Sequence, residues 1–212
     1  MKKNIIKKNF LKLELSATLL INEKSNALID QGKKIYRFGF GQSPFPVPRK
    51  IVSVLKANAE KKDYLSTLGL PELREAISNN LNKFTHNSFS KENILITPGS
   101  KSAMLLMHQV FNGDIILPTS SWVSYAPQAN IASNKVHWIK TSSENGWFPT
   151  ANELEKKIKS IKNKNMILIL NSPNNPSGRT CSNLKELSLV AKKYKLIILS
   201  DEIYSELTFN NK

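Results

Sequence analysis

Two short polar clusters hold the residues best suited to chemistry. The first is Asn171-Ser172-Pro173-Asn174-Asn175-Pro176-Ser177-Gly178, and the second is Ser200-Asp201-Glu202-Ile203-Tyr204. Each follows an apolar run that reads as a buried strand, residues 166–170 before the first and 196–199 before the second. Between them, residues 182–195 read as an amphipathic helix with Leu184, Leu187, Val190 and Ala191 on one face. Strand, helix and strand in that length make a βαβ unit. Both clusters then lie at the carboxyl ends of neighbouring parallel strands, where open α/β sheets bind ligands. A carboxylate beside an Asn-Pro loop at that edge has the make-up of a cofactor site.

The elements that must position these clusters can be followed from the start of the chain. Residues 10–31 read as a helical arm that Gly32 ends, and residues 35–38 as a short strand. The loop through Gly39, Gly41, Pro44, Pro46 and Pro48 excludes helix. A helix follows over 51–61, a loop over 64–69, and a further helix opened by Pro71. Residues 93–97 read as a strand that turns through Pro98-Gly99-Ser100-Lys101-Ser102 into a helix over 103–111. Such a turn is an anion site when a ligand needs one, because backbone N–H groups and the helix dipole point outward; otherwise it is an ordinary cap. Strands over 114–117 and 136–139 and a helix over 151–161 complete the alternation. The pattern predicts an α/β fold with a doubly wound, mostly parallel sheet.

Composition narrows the function. The 212 residues suffice for one sizeable core, or a core and a small subdomain. The single cysteine, Cys181, excludes a disulfide framework and suits a reducing compartment. Lys7, Lys8, Lys12 and Glu14 interrupt any apolar leader, and no run approaches the roughly 18 apolar residues of a membrane span. A cytoplasmic location and no membrane partner are therefore expected. The net charge of +15 is spread along the chain, the arginines are only Arg37, Arg49, Arg74 and Arg179, and no nucleic-acid partner is expected. His86, His108 and His137 show no paired ligand spacing, so no metal site is expected.

Five motifs in order, namely Gly41 to Pro44, Tyr64 with Gly69, Pro98-Gly99-Ser100-Lys101, Trp122 with Tyr125, and the two clusters above, resemble one family. Over about residues 16–207 the chain is similar to the N-terminal half of a fold-type I, pyridoxal-phosphate-dependent aminotransferase of class I/II. The resemblance implies an N-terminal arm and part of the small domain over 1–44, then an incomplete large domain over 45–212. It implies pyridoxal 5'-phosphate as cofactor, an amino acid and a 2-oxo acid as substrates, and a homodimer in the full-length parent.

The implied roles follow residue by residue. Asp201 would pair with the pyridine nitrogen and keep it protonated, which makes the ring an electron sink. Asn175 and Tyr204 would hydrogen-bond the ring's phenolic oxygen, and Asn175-Pro176 is a candidate cis peptide. Trp122 would stack on the ring, while Tyr125 is expected to pack. Gly99, Ser100 and Lys101 would hold the phosphate, and Tyr64 would reach the phosphate of the neighbouring subunit. Gly41 would lie near the substrate carboxylate, with Asn175. The lysine that forms the Schiff base in this family matches no position here, so the chain alone is expected to be inactive. A related lyase or decarboxylase, which uses the same Asp, Asn and Tyr, or a non-catalytic remnant, is the alternative. The resemblance further implies that the strand holding Leu196 has a bare edge, prone to association.

Overall fold

The computed structural model describes residues 5, 10–11, 17–39, 41, 43 and 45–207. Of the Gly-Pro loop, Phe40, Gln42 and Pro44 lie outside the described residues, as do residues 12–16 of the expected arm helix. The chain forms two compact units, Lys12–Thr97 and a second made of Met1–Leu11 with Pro98–Lys212.

In the larger unit, four described strands form one parallel sheet: β1 (Asp114–Pro118), β2 (Val136–Ile139), β3 (Met166–Asn171) and β4 (Ile197–Asp201), in the order β2-β1-β3-β4. β3 is buried along all its 6 residues, as its unbroken apolar sequence requires. Side chains alternate between the two faces. Ile116, Leu168 and Leu170 meet Leu154 and Ile158 of α6 (Ala151–Ser160) and Leu187 of α7 (Leu184–Tyr194). Ile115, Leu117, Ile167 and Ile169 meet Met104 of α4 (Ser100–Val110) and Tyr125 and Ala129 of α5 (Tyr125–Ile131). Helices on both faces make the sheet doubly wound, as expected. α6 starts where Thr150 and Glu153 exchange side-chain and backbone bonds in a capping box.

The smaller unit carries α1 (Ala17–Asp30), α2 (Arg49–Ala57) and α3 (Pro71–Leu81). Gly69 adopts φ +98°, and a Cβ there would come within 2.5 Å of Ile96 Cβ, so the loop before α3 requires glycine. Arg74 fastens α3 to the segment after it: Nε donates to the Ile94 carbonyl at 2.9 Å and Nη2 to the Lys91 carbonyl at 2.6 Å.

Several expectations are corrected. Residues 35–38 and 93–97 are not strands: no described ladder runs beside either, and the backbone N–H groups of Ile94 and Ile96 donate instead to the Lys91 carbonyl at 3.1 Å and the Leu68 carbonyl at 3.0 Å. α4 begins at Ser100, three residues before the expected start at residue 103, because Gly99 takes φ +90° and turns the chain directly ahead of it. α5 was not read from the sequence. Leu184 is 52% exposed: as the first residue of α7 it lies beyond the packed turns.

Candidate functional site

The ladder between β3 and β4 closes on the pair Asn171 and Asp201, so the two polar clusters leave the sheet side by side. Asp201 is 7% exposed. Its Oδ2 accepts the Tyr125 hydroxyl at 2.6 Å, and its Oδ1 accepts the Ile203 N–H at 3.2 Å. Burial, followed by the bond to Asp201 and its charge, pushes the Tyr125 phenol far above its ordinary pKa. Tyr125 therefore stays a donor. A carboxylate offers about four acceptor positions, and these two bonds leave room for another donor.

Asn171 is also buried. Its Nδ2 donates to the Asp201 carbonyl at 3.0 Å, and its Oδ1 accepts the Asn175 N–H at 2.6 Å. Asn175 Nδ2 lies 3.3 Å from the Tyr204 hydroxyl oxygen and donates to it. Asn174 braces the same loop: Nδ2 donates to the Ser120 carbonyl, and Oδ1 accepts from the Ser177 N–H and hydroxyl. The Asn175-Pro176 peptide is cis, as is Ser172-Pro173.

The N-terminus of α4 stands on the opposite wall of a cavity of about 420 Å³. Ser100, Ala103, Met104 and Met107 line that wall, and Leu199 and Asp201 line the other. Lys101 places Nζ 5.3 Å from the Trp122 ring centroid, and its carbonyl accepts from Gln128 Nε2 at 2.8 Å. Trp122 meets Tyr125 edge to face, with centroids 5.4 Å apart. One unit thus brings together Gly99, Ser100, Lys101, Trp122, Asn175, Asp201 and Tyr204. Gly41 and Tyr64 belong to the other unit, where both are exposed.

The chemistry of this donor set fits a phosphorylated pyridine. Backbone N–H groups at a helix N-terminus and the helix dipole suit a dianionic phosphate, and a buried carboxylate suits a protonated ring nitrogen. Sequence reasoning did not assign Asn171 to the site and read Tyr125 as packing. The signal for Asn171 was a polar residue closing a wholly apolar strand. For Tyr125 the contact partner is 76 residues away, which spacing cannot show.

An open parallel sheet with a ligand cavity at its carboxyl edge defines the α/β class of cofactor-binding folds. Within it, the chain belongs to the family "Aminotransferase class I and II", whose profile matches residues 32–212. It is 34% identical over 214 aligned residues to the asparagine--oxo-acid transaminase of Streptococcus mutans, covering 97% of this chain and 53% of that protein. It is 29% identical to the aspartate aminotransferase of Bacillus subtilis, covering 93% of this chain and 51% of that one. Among solved structures, the aspartate aminotransferase of Thermus thermophilus with maleate superposes with a TM-score of 0.88 at 27% identity, over 97% of this chain and 55% of that chain. The chain spans about half the length of the curated relatives it matches. Among the described residues no helix is long and apolar enough to cross a membrane, and no group of His, Cys, Asp and Glu could hold a metal.

Proposed function

We propose that this chain supplies the cofactor cradle of a pyridoxal 5'-phosphate-dependent aminotransferase, which moves an amino group between an amino acid and a 2-oxo acid. The observation that carries the reading is the cavity bounded by Ser100 at the start of α4 and by the buried carboxylate of Asp201. When bound, the cofactor supplies an electron-withdrawing ring that stabilises negative charge at the substrate α-carbon.

This chain's residues hold and tune that ring. The backbone N–H groups at Gly99, Ser100 and Lys101 receive the phosphate. Asp201 keeps a proton on the pyridine nitrogen, because a fixed negative charge at hydrogen-bond distance favours the protonated form. Asn175 and Tyr204 bond the phenolic oxygen, and Trp122 stacks on one face of the cofactor ring. Gly41 and Asn175 meet the substrate carboxylate, and Tyr64 reaches the phosphate in a partner copy, so the whole protein works as a homodimer. Residues 1–44 serve as arm and part of a small domain, and residues 45–212 as an incomplete large domain. The sequence's single cysteine, Cys181, is a free, buried thiol, which suits a reducing, cytoplasmic setting.

No lysine here matches the family's covalent attachment site, so affinity is best read with a probe that needs no covalent bond. Deoxypyridoxine phosphate carries a methyl group in place of the aldehyde. Calorimetric titration should show binding by the chain, and Asp201→Asn should weaken it roughly tenfold to a hundredfold, the worth of a charge-assisted bond. Equal binding by both proteins would remove Asp201 from the site.

A further inference from the structure

Asn175 and Asp201 address two different edges of one ring in the reading above, and they sit on different elements. Asp201 ends β4; Asn175 lies on the loop after β3. A ring is rigid, so the distance between the two groups must be set in advance. The side chain that spans them is Asn171. Its two ends are chemically distinct, an amide donor and a carbonyl acceptor. The donor end faces the Asp201 carbonyl, which also accepts the Ser172 N–H at 3.1 Å. That contact fixes which way the amide points and leaves Oδ1 for the Asn175 N–H at 2.6 Å. Burial at 4% exposure removes water as a competing partner for either end.

We infer that Asn171 is a positioning residue that clamps the Asn175 loop to the end of β4, and so sets the spacing between the groups that read the ring's phenolic oxygen and its nitrogen. The inference rests on the cofactor reading above. It is specific to asparagine. An aspartate would keep the acceptor for Asn175 but turn a carboxylate oxygen toward the Asp201 carbonyl. Because that carbonyl keeps its bond from Ser172, losing Asn171 falls mainly on Asn175, the group with no second tie at its N–H.

The test uses two probes on the full chain, deoxypyridoxine phosphate and the same compound without its phenolic hydroxyl. In the wild type the hydroxyl should strengthen binding roughly three- to tenfold, the worth of an ordinary hydrogen bond. In Asn171→Ala that advantage should shrink to the part that Tyr204 supplies, while the hydroxyl-free probe binds as before. Asn175→Ala should do the same, and the double variant should cost no more than either single change. Equal weakening of both probes, or no change in either, would overturn the inference. Asn171→Leu, of similar size and with neither donor nor acceptor, serves as a second variant if Asn171→Ala does not fold, with the same expected loss of the hydroxyl's advantage. If the wild type binds neither probe, the cofactor reading fails by itself, and amide hydrogen exchange decides the inference. A protected Asn175 N–H in the wild type, exchanging more than about tenfold faster once Asn171 is replaced, supports it; unchanged protection overturns it.

Discussion

Among the described residues, every apolar side chain that is buried lies in the unit containing Pro98–Lys212, from Met104 to Leu196. In Lys12–Thr97 the buried residues are Arg74 and Ser78, both polar. The first unit is held by a packed core on either side of a sheet. The second is held by directed polar bonds around α3, while Ile51, Val54 and Leu55 of α2 are more than half exposed. The contrast shows two ways of ordering a chain: core packing resists loss of any one bond, whereas a polar frame depends on its few members.

The largest expected difference follows from core packing. Leu168→Ala, at a side chain with no exposure in the central strand, should cost about 2–5 kcal/mol in urea unfolding. Leu73→Ala, 44% exposed on α3, should cost less than about 1 kcal/mol. Similar costs at the two sites would erase the contrast. Arg74→Ala comes next. It frees the Ile94 and Lys91 carbonyls and should cost the local structure about 1.5–3 kcal/mol, as bonds to charged groups do. Faster amide exchange at Ile94 and Ile96 would register it. Arg74→Lys should not rescue, because one ammonium cannot reproduce the two-point fork. Unaltered exchange would show that something else holds this unit.

The smallest effect concerns acid. His108 in α4 has no exposed surface, and neither ring nitrogen makes a well-formed hydrogen bond. Burial holds its pKa below the usual value of 6.5, partly opposed by the neighbouring Asn134 side chain. The folded chain therefore binds fewer protons than the unfolded one near and below pH 6.5, and stability falls as pH drops through that value until the folded group titrates. Thermal melts should shift down between pH 7.5 and 5.5, by about 2–4 °C for each kcal/mol lost. His108→Leu should flatten that slope. A slope that persists would assign it to other groups.

The strands β1 to β4 and the helices α4, α6 and α7 were readable because apolar runs of the right length stood between turn residues. The segments at 35–38 and 93–97 misled for a related reason: their composition suits a strand, but a strand exists only beside a partner, and partners are a property of the whole fold. At the site, Asp201, Asn175 and Tyr204 stood out by type and order. Tyr125 and Asn171 did not, since their value lies in what they touch, across 76 and 30 residues respectively.

The strand order carries a consequence for how the molecule comes together in time. Every pairing is parallel, so none can close through a hairpin: Ile115 must find Val136, Ile167 must find Ile197, and Ile115 must find Ile167. Such distant pairings are slow, the central one slowest. During synthesis β1 and β2 can meet before β3 has emerged, and β4 docks only after β3 is in place. Asp201 ends β4. The carboxylate edge of the cavity therefore forms only once β4 has paired with β3, and neither strand makes it alone.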